Sequence, residues 1–588
     1  MDYKEIYDKV YACWLGKNIG GTLGTPLEGT KEINNVTWYP KLSDDGGVLE
    51  NDDLDLQLVN LHALEQYGVR LDCRHIAKEW SEHVFFPFDE YGYAVTAMRL
   101  GFDAPYSGFH ENPFIDCMGA PIRSEIWAII SMGNPDLAAY YAYNDSVVDH
   151  AGGESVNGSV FNAVLESLAF FSDNKRELIS KALSYIPETS RTYQAVSEAV
   201  RLYDSGAEFF DARNVLVDKY AVDNFTDAPI NISFTVLALL YGRDFEDGIL
   251  KAVNIGYDTD CTVATLGAIY GIMYSLDYIP EKWKKPIGDK IKVSKAVRGF
   301  EAPSNLDQLT KRCLRLREIV NLQDDEFKKG KIYKKGEFDF QHYSLGGENT
   351  SSNLYADIIY KNGAHIIPGQ SLEIGIEIHN NSKDPIELRS RANCPKGISI
   401  DFNLDKELAP GESLSAKIQV IADREIEFCN RIELIIERYN CDDYWKSYTL
   451  PFTVLRSAKW EIGGEYKYFS GTSVKFDKES DDGIYCAKTD LYSPISREVK
   501  LICPTEHAVK VYIDGSEVIN SSEKFAFMPA YHRCPKPQSA ILFIEKGVHE
   551  VEVTIESDKP PLFMFTALAS KNRQKAGTNY RLIDTVIG

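Results

Sequence analysis

In GYDTDCTVATLGAIYG, residues 256–271, Asp258 and Asp260 stand one residue apart ahead of an apolar helical pattern. A helix beginning near Thr259 or Asp260 puts both carboxylates at its N-terminus, where the positive end of the dipole favours them and side chains can turn toward one point. They can share a cation, or simply cap a helix. A second acidic pair lies in ENDDLDLQLVNLHALEQYG, residues 50–68, where Asn51 is a good N-cap and Asp52 and Asp53 fall in the first turn. In this reading Leu54, Leu58 and Leu61 face the core and Asp55 faces solvent. Alone, this is an ordinary acidic helix start. Two such clusters on separate helices of one domain suit a hard divalent cation, Mg2+ or Mn2+, whose oxygen ligands are gathered from several segments. A pair of ions sharing a carboxylate is then possible.

Two further stretches can border such a centre. GKNIGGTLGTPLEG, residues 16–29, holds five glycines and a proline, which argues for a loop or a broken helix end that carries Glu28 past the turn. No lysine follows it in P-loop spacing, so a nucleotide-triphosphate cradle is not supported. In DHAGGESVNGSVFNAVLE, residues 149–166, the amides at Gly152 and Gly153 can take a phosphate or sugar oxygen and His150 can orient a ligand; a plain helix entry is the equal alternative.

The elements that must position these residues are mostly helical. Behind the aspartates, Ala264, Gly267, Ala268 and Gly271 follow the i, i+3, i+4, i+7 rule, a stripe of small residues that lets another helix approach closely. Apolar residues recur at helical spacing throughout residues 1–325, which predicts an all-α domain. A charged, weakly apolar linker is expected over 326–340. Period-two alternation then predicts a β-sandwich of the immunoglobulin or fibronectin kind over 341–456 and a second sandwich over 457–588. In the latter, Asp514-Gly515 between two alternating runs signals a hairpin.

The whole chain of 588 residues is long enough for about three domains at roughly 100–200 residues each, and its 44% hydrophobic content supplies their cores. A formal charge of -23 repels a phosphate polymer, so a nucleic-acid partner is not expected. No stretch approaches the roughly 18 uninterrupted apolar residues of a membrane span, and the first residues lack the apolar core of a signal peptide. Eleven cysteines with no CxxC pair suit free thiols in a reducing compartment, so the expected location is cytoplasmic.

Taken in order, the Gly-rich segment with Glu28, the Asp52-Asp53 helix start, the His150 and Gly-rich turn, and GYDTD before a small-residue helix resemble the ADP-ribosylglycohydrolase family, which includes dinitrogenase-reductase-activating glycohydrolase and the crystallin J1 proteins. IPEKW, residues 279–283, is similar to the short tail after the family's last motif helix. The likeness spans about residues 10–290. It implies an all-α fold with a cleft for two Mg2+ or Mn2+ ions. On that resemblance Asp52, Asp53, Asp258 and Asp260 match metal ligands, with Asn51 and Cys261 beside them, and Glu28 matches a glutamate near the scissile bond. Glu28 and Asp53 are then the catalytic candidates; Arg123 in GAPIRSE, His150, Gly152 and Gly153 are the substrate contacts. The family usually has Thr where this chain has Asn51 and Cys261, and often Asp where Gly21 stands. A thiol is a soft ligand, ill-suited to Mg2+. The later β segment is similar to galactose-binding or PA14-like sandwiches.

The implied activity is metal-dependent hydrolysis of an N- or O-glycosidic bond to ribose or a related sugar in a small molecule, a carbohydrate or an ADP-ribosylated molecule. One alternative is a glycoside hydrolase acting on a carbohydrate other than ADP-ribose, including a metal-free enzyme working with two carboxylates. Another is a non-catalytic binding or structural protein like the crystallin relatives.

Overall fold

The N-terminal helix, Tyr3–Gly24, starts at Asp2, whose carboxylate takes the Glu5 amide while the Glu5 side chain accepts from the Asp2 amide. Of the loop or broken helix end expected of the glycine-rich stretch, the structure has the second: the helix runs on to Gly24, where a short turn, Thr25–Leu27, carries the chain to Glu28. The continuation through four glycines has a physical cause in the helix Thr259–Tyr274, which lies directly against it. A Cβ placed on Gly16 would come 2.1 Å from the carbonyl oxygen of Gly267, one on Gly20 2.2 Å from that of Val263, and one on Gly24 2.4 Å from that of Thr259. From the other side, a Cβ on Gly271 would lie 2.3 Å from the Ala12 backbone. Each glycine weakens helix propensity by roughly 1 kcal/mol. In return the two backbones touch over successive turns, as the small-residue stripe on the second helix implies.

The structure is a computed structural model that describes the chain except residues 45, 87–88, 324–339, 346–353, 440–444, 570–584 and 588. The linker expected over 326–340 lies outside the described residues, save that Phe340 opens a strand, Phe340–Ser344. Two compact units divide the chain: Met1–Phe85 with Asn112–Glu337, and Phe86–Glu111 with Phe338–Gly588. Residues 86–111 therefore leave the helical segment expected over 1–325. They do form helices, Asp89–Arg99 and Tyr106–Phe109, but Ala97, Leu100, Phe102 and Tyr106 join a core of β-strand residues. Helical period says that a face is apolar, not which core receives it.

The first unit is helical. Trp14, Trp80, Trp127 and Trp283 are among its largest fully buried side chains, and Trp283 packs on Tyr39 with ring centroids 5.0 Å apart. No helix among the described residues is long and apolar enough to cross a membrane.

The second unit holds β-strands in several sheets. In one pair of sheets, Leu354–Ile359, Ser371–Asn380 and Ser413–Ala422 are neighbours in the first, and Trp445–Arg456, Cys429–Tyr439 and Ile386–Asn393 in the second. Along Ser371–Asn380 every second residue is buried, so Leu372, Ile374, Ile376 and Ile378 enter one core as the period-two pattern requires. A separate apolar core gathers Trp460, Val511, Val553, Phe563 and Phe565 from the later sheets. The hairpin at Asp514-Gly515 joins Ala508–Ile513 to Ser516–Ser521, and both turn residues take positive φ, 50° and 76°, the geometry that favours this dipeptide.

Candidate functional site

Asn51 caps the helix Asp52–Tyr67, its side-chain oxygen accepting from the Asp53 amide at 2.8 Å. Asp258 stands at the N-cap position of Thr259–Tyr274. Both helices thus open with carboxylates. Glu28 arrives by a third route. Just past the end of the N-terminal helix, the Gly29 amide donates to the Tyr257 carbonyl at 2.9 Å and the Tyr257 amide to the Thr30 carbonyl at 2.6 Å. Segments 28–30 and 256–258 run together, with Gly256 at φ 83° and close under the Thr30 and Glu32 carbonyls. Thr259 Oγ1 adds a bond to the Gly24 carbonyl at 2.9 Å. These backbone ties bring Glu28 beside Asp258.

Two groups of donor atoms result. One atom each from Asp53, Asp260 and Cys261 lie within 4.8 Å of one another, and so do one each from Glu28, Asp258 and Asp260. Asp260 belongs to both. Asp53, Asp258 and Asp260 are buried, Asn51 and Asp52 half-buried, and Glu28 exposed. Asp52 stands in neither group, although its charge bears on Asp53 and Asp260.

Burial raises each of the three buried aspartates in these groups. Burial, opposed by Lys17, pushes the Asp53 carboxyl up to about 7. Burial and then the Glu28 charge push Asp258 and Asp260 well above the usual carboxylate range. Asp260 Oδ1 is buried with no hydrogen-bond partner among the described residues. A buried carboxylate oxygen without a partner, among several other acids, is a poor arrangement by itself and a good one around a cation. The donors are hard oxygens, which fits Mg2+ or Mn2+. Cys261 differs: burial raises its thiol well above the usual range, and Sγ lies 3.6 Å from Asp53 Oδ1 as a donor.

Arg123 and His150 are buried, and the Gly152-Gly153 turn stands at a helix start. The Arg123 guanidinium is 0% exposed, bidentate on Asp149 at 2.6 and 3.0 Å and bonded to Asp145 at 2.9 Å. His150 is 0% exposed, with Nδ1 3.0 Å from Asp149. At the start of the helix Glu154–Ala169, the Glu154 amide is taken by the Asp116 carboxylate at 2.7 Å and the Ser155 amide by the Ile115 carbonyl at 3.3 Å. The Gly153 amide donates to the His150 carbonyl at 3.0 Å. Gly152, exposed at φ 82°, completes the turn. This is a helix entry closed by its own partners.

Two features were not foreseen. Asp55, expected in solvent, is 0% exposed and accepts the Ser294 amide at 3.1 Å. Lys17 is buried, with Nζ 2.7 Å from Glu125 Oε1 and 3.5 Å from Asp53 Oδ2. Glu125 in turn accepts from Gln57 at 2.8 Å. The signal for Lys17 was present, since it is the one charged residue between Lys9 and Glu28.

The ADP-ribosylglycohydrolase family model matches residues 2–319. An uncharacterized protein of Archaeoglobus fulgidus is 24% identical over 302 residues, 48% of this chain and 92% of that one. Among solved structures, an ADP-ribosylglycohydrolase-related protein complex aligns at 20% identity and TM-score 0.40, covering 54% of this chain and 99% of that chain. The GAE domain of a GGA protein from Saccharomyces cerevisiae aligns at 14% identity and TM-score 0.16, covering 20% of this chain and 96% of that chain. The family model covers more than half of the residues, and on that match this chain belongs to the ADP-ribosylglycohydrolase family.

Proposed function

We propose that the chain hydrolyses an N- or O-glycosidic bond to ribose or a related sugar, with Mg2+ or Mn2+ held by Glu28, Asp53, Asp258 and Asp260. The observation that carries this reading is Asp260, common to two groups of donors and left with an unpartnered buried oxygen. Bound there, divalent ions supply Lewis acidity toward sugar hydroxyls and lower the pKa of water.

The chain's own residues do the positioning. Asp53 is steadied by Lys17, itself anchored on Glu125. Glu28, the exposed member of the cluster, holds or moves a proton at its carboxylate, a role that requires it within hydrogen-bonding reach of the water or of the leaving group. The Cys261 thiol donates toward Asp53 and keeps that carboxylate oriented. Every described cysteine is a free thiol, which supports a reducing, cytoplasmic setting.

Family membership supports ADP-ribosylated molecules as substrates, whereas the two β cores and the departures at Asn51 and Cys261 favour a carbohydrate glycoside in the same reaction class. The deciding experiment strips the full chain with EDTA, restores Mn2+, and assays ADP-ribosyl compounds beside oligosaccharides. Hydrolysis that needs Mn2+ and disappears in Asp258→Ala supports the proposal. Hydrolysis unimpaired in EDTA or in Asp258→Ala overturns it in favour of a metal-free glycosidase.

A further inference from the structure

Apart from the acidic cluster, His62, Glu79 and His83 each bring one donor atom within 4.8 Å of the others. His62 lies on the helix Asp52–Tyr67, while Glu79 and His83 stand four residues apart on the helix Cys73–His83 and so share a face. Glu79 is 1% and His83 8% exposed, and the His62 side chain 16%. The cluster is buried on one side and open at its His62 edge.

Hydrogen bonds assign the lone pairs. His83 Nδ1 lies 2.9 Å from the Arg298 carbonyl oxygen. A carbonyl only accepts, so Nδ1 carries the proton and, in the neutral ring, Nε2 presents a lone pair. That nitrogen stands 3.6 Å from Glu79 Oε2 and 3.9 Å from Glu82 Oε2, beyond hydrogen-bond range. Two donors on a tetrahedral ion with bonds of about 2.0–2.1 Å lie roughly 3.4 Å apart, close to the first of these separations. His62 Nδ1 meets the same Glu79 oxygen at 2.5 Å, and its other nitrogen lies 3.3 Å from the Gln66 side-chain amide. His83 is therefore held through its second nitrogen, as the histidines of metal sites are; His62 takes the same role when the Gln66 amide turns its oxygen, in place of its nitrogen, toward Nε2 and the ion replaces the proton between Nδ1 and Glu79.

The surroundings are built to keep this geometry. Residues 296–300 form a strap, pinned by the Val84–Val297 bridge and by the Phe85 amide on the Ala296 carbonyl at 2.7 Å. Gly299 takes φ 97°, and a Cβ there would press to 2.8 Å from His83 Nδ1. Phe300 stacks on His62 with ring centroids 4.7 Å apart.

We propose that His62, Glu79 and His83 form a second metal site, for a borderline transition ion of the zinc class, with Glu82 near enough to add an oxygen. Imidazole with carboxylate selects such an ion over Mg2+. The site shares no residue with the acidic cluster. It clips together the Asp52–Tyr67 helix, the Cys73–His83 helix and the strap, and so steadies the helix that carries Asp52 and Asp53.

The test uses the full chain carrying Asp260→Ala, stripped with EDTA and titrated with Zn2+ by calorimetry, with bound zinc counted by mass spectrometry. The expected result is about one tightly held equivalent, lost on adding His83→Gln or the isosteric Glu79→Gln. Co2+ in place of Zn2+ should show visible d–d bands that vanish in the same variants, and thermal melts verify that each variant is folded. Zinc stoichiometry unchanged by both His83→Gln and Glu79→Gln, or no zinc bound before they are introduced, overturns the proposal.

Discussion

Gly24 and Asp260 touch through their backbones: a Cβ on Gly24 would lie 2.5 Å from the Asp260 Cα. The N-terminal helix therefore ends against the first turn of the helix that carries the aspartates, and the chain leaving it delivers Glu28 to the same place. Helix packing and site assembly are one structural fact here.

Substituting Gly20 by Ala tests that link. The new methyl would sit 2.2 Å from the Val263 carbonyl oxygen, an overpacking cost of about 1–3 kcal/mol set against a propensity gain of roughly 1 kcal/mol. The expected outcome is a lower melting temperature together with weaker Mn2+ binding, read by a thermal melt and a Mn2+ titration of the same sample. Unchanged Mn2+ affinity in a destabilised variant would separate packing from the site.

Glu28 and Asp260 should fail differently. Asp260→Asn removes the carboxylate common to both donor groups and is expected to abolish Mn2+ binding at both. Glu28→Gln takes one ligand from the Glu28, Asp258 and Asp260 group and leaves Asp53 and Asp260 in place, so it should retain Mn2+ at the latter while hydrolysis falls by about 10²–10⁴-fold, the usual worth of a positioned proton carrier. In metal-free protein Asp260→Asn should also raise the melting temperature, because it replaces a carboxyl whose ionisation is opposed by burial and by the charges of Glu28, Asp258, Asp53 and Asp52.

Lys17→Met should destabilise by about 3–5 kcal/mol, the cost of breaking a buried pair and leaving carboxylates without their cation. Adding Glu125→Gln should recover part of the loss. Urea unfolding of the two variants measures both quantities, and an unaltered midpoint in Lys17→Met would contradict the buried pairing.

One pH dependence belongs to the β hairpin. Burial alone would lower the His549 pKa, but bonds to Asp514 at 2.7 Å and to the Glu545 carbonyl at 2.9 Å hold it above the usual value of 6.5. A raised histidine stabilises the fold fully below its unfolded pKa, and that contribution is lost as pH rises through the folded one. NMR titration should find His549 above 6.5 in the native chain and nearer that value in Asp514→Ala.

Legibility in the sequence followed distance along the chain. The paired aspartates, the Asn51 cap, the small-residue stripe and the Asp514-Gly515 hairpin each express themselves within a few residues, and the structure contains them. The fate of Gly16, Gly20 and Gly24 depends on a helix some 250 residues later, so their composition leaves a loop and a broken helix end both open, and close packing decides for the helix. Asp55 is buried by a partner at Ser294, which no local pattern announces, while Lys17, a lone charge in an apolar stretch, signals its burial but not its partner Glu125. Arg123 looked available because its two aspartates arrive on a later helix, Pro135–His150.

The central claim is that Asp260 joins two divalent centres, and diffraction at the manganese absorption edge from crystals grown with Mn2+ addresses it most directly. The account predicts two anomalous peaks, one between Asp53 and Asp260 and one between Glu28, Asp258 and Asp260. Manganese found elsewhere, or no peak within coordination distance of Asp260, would contradict it.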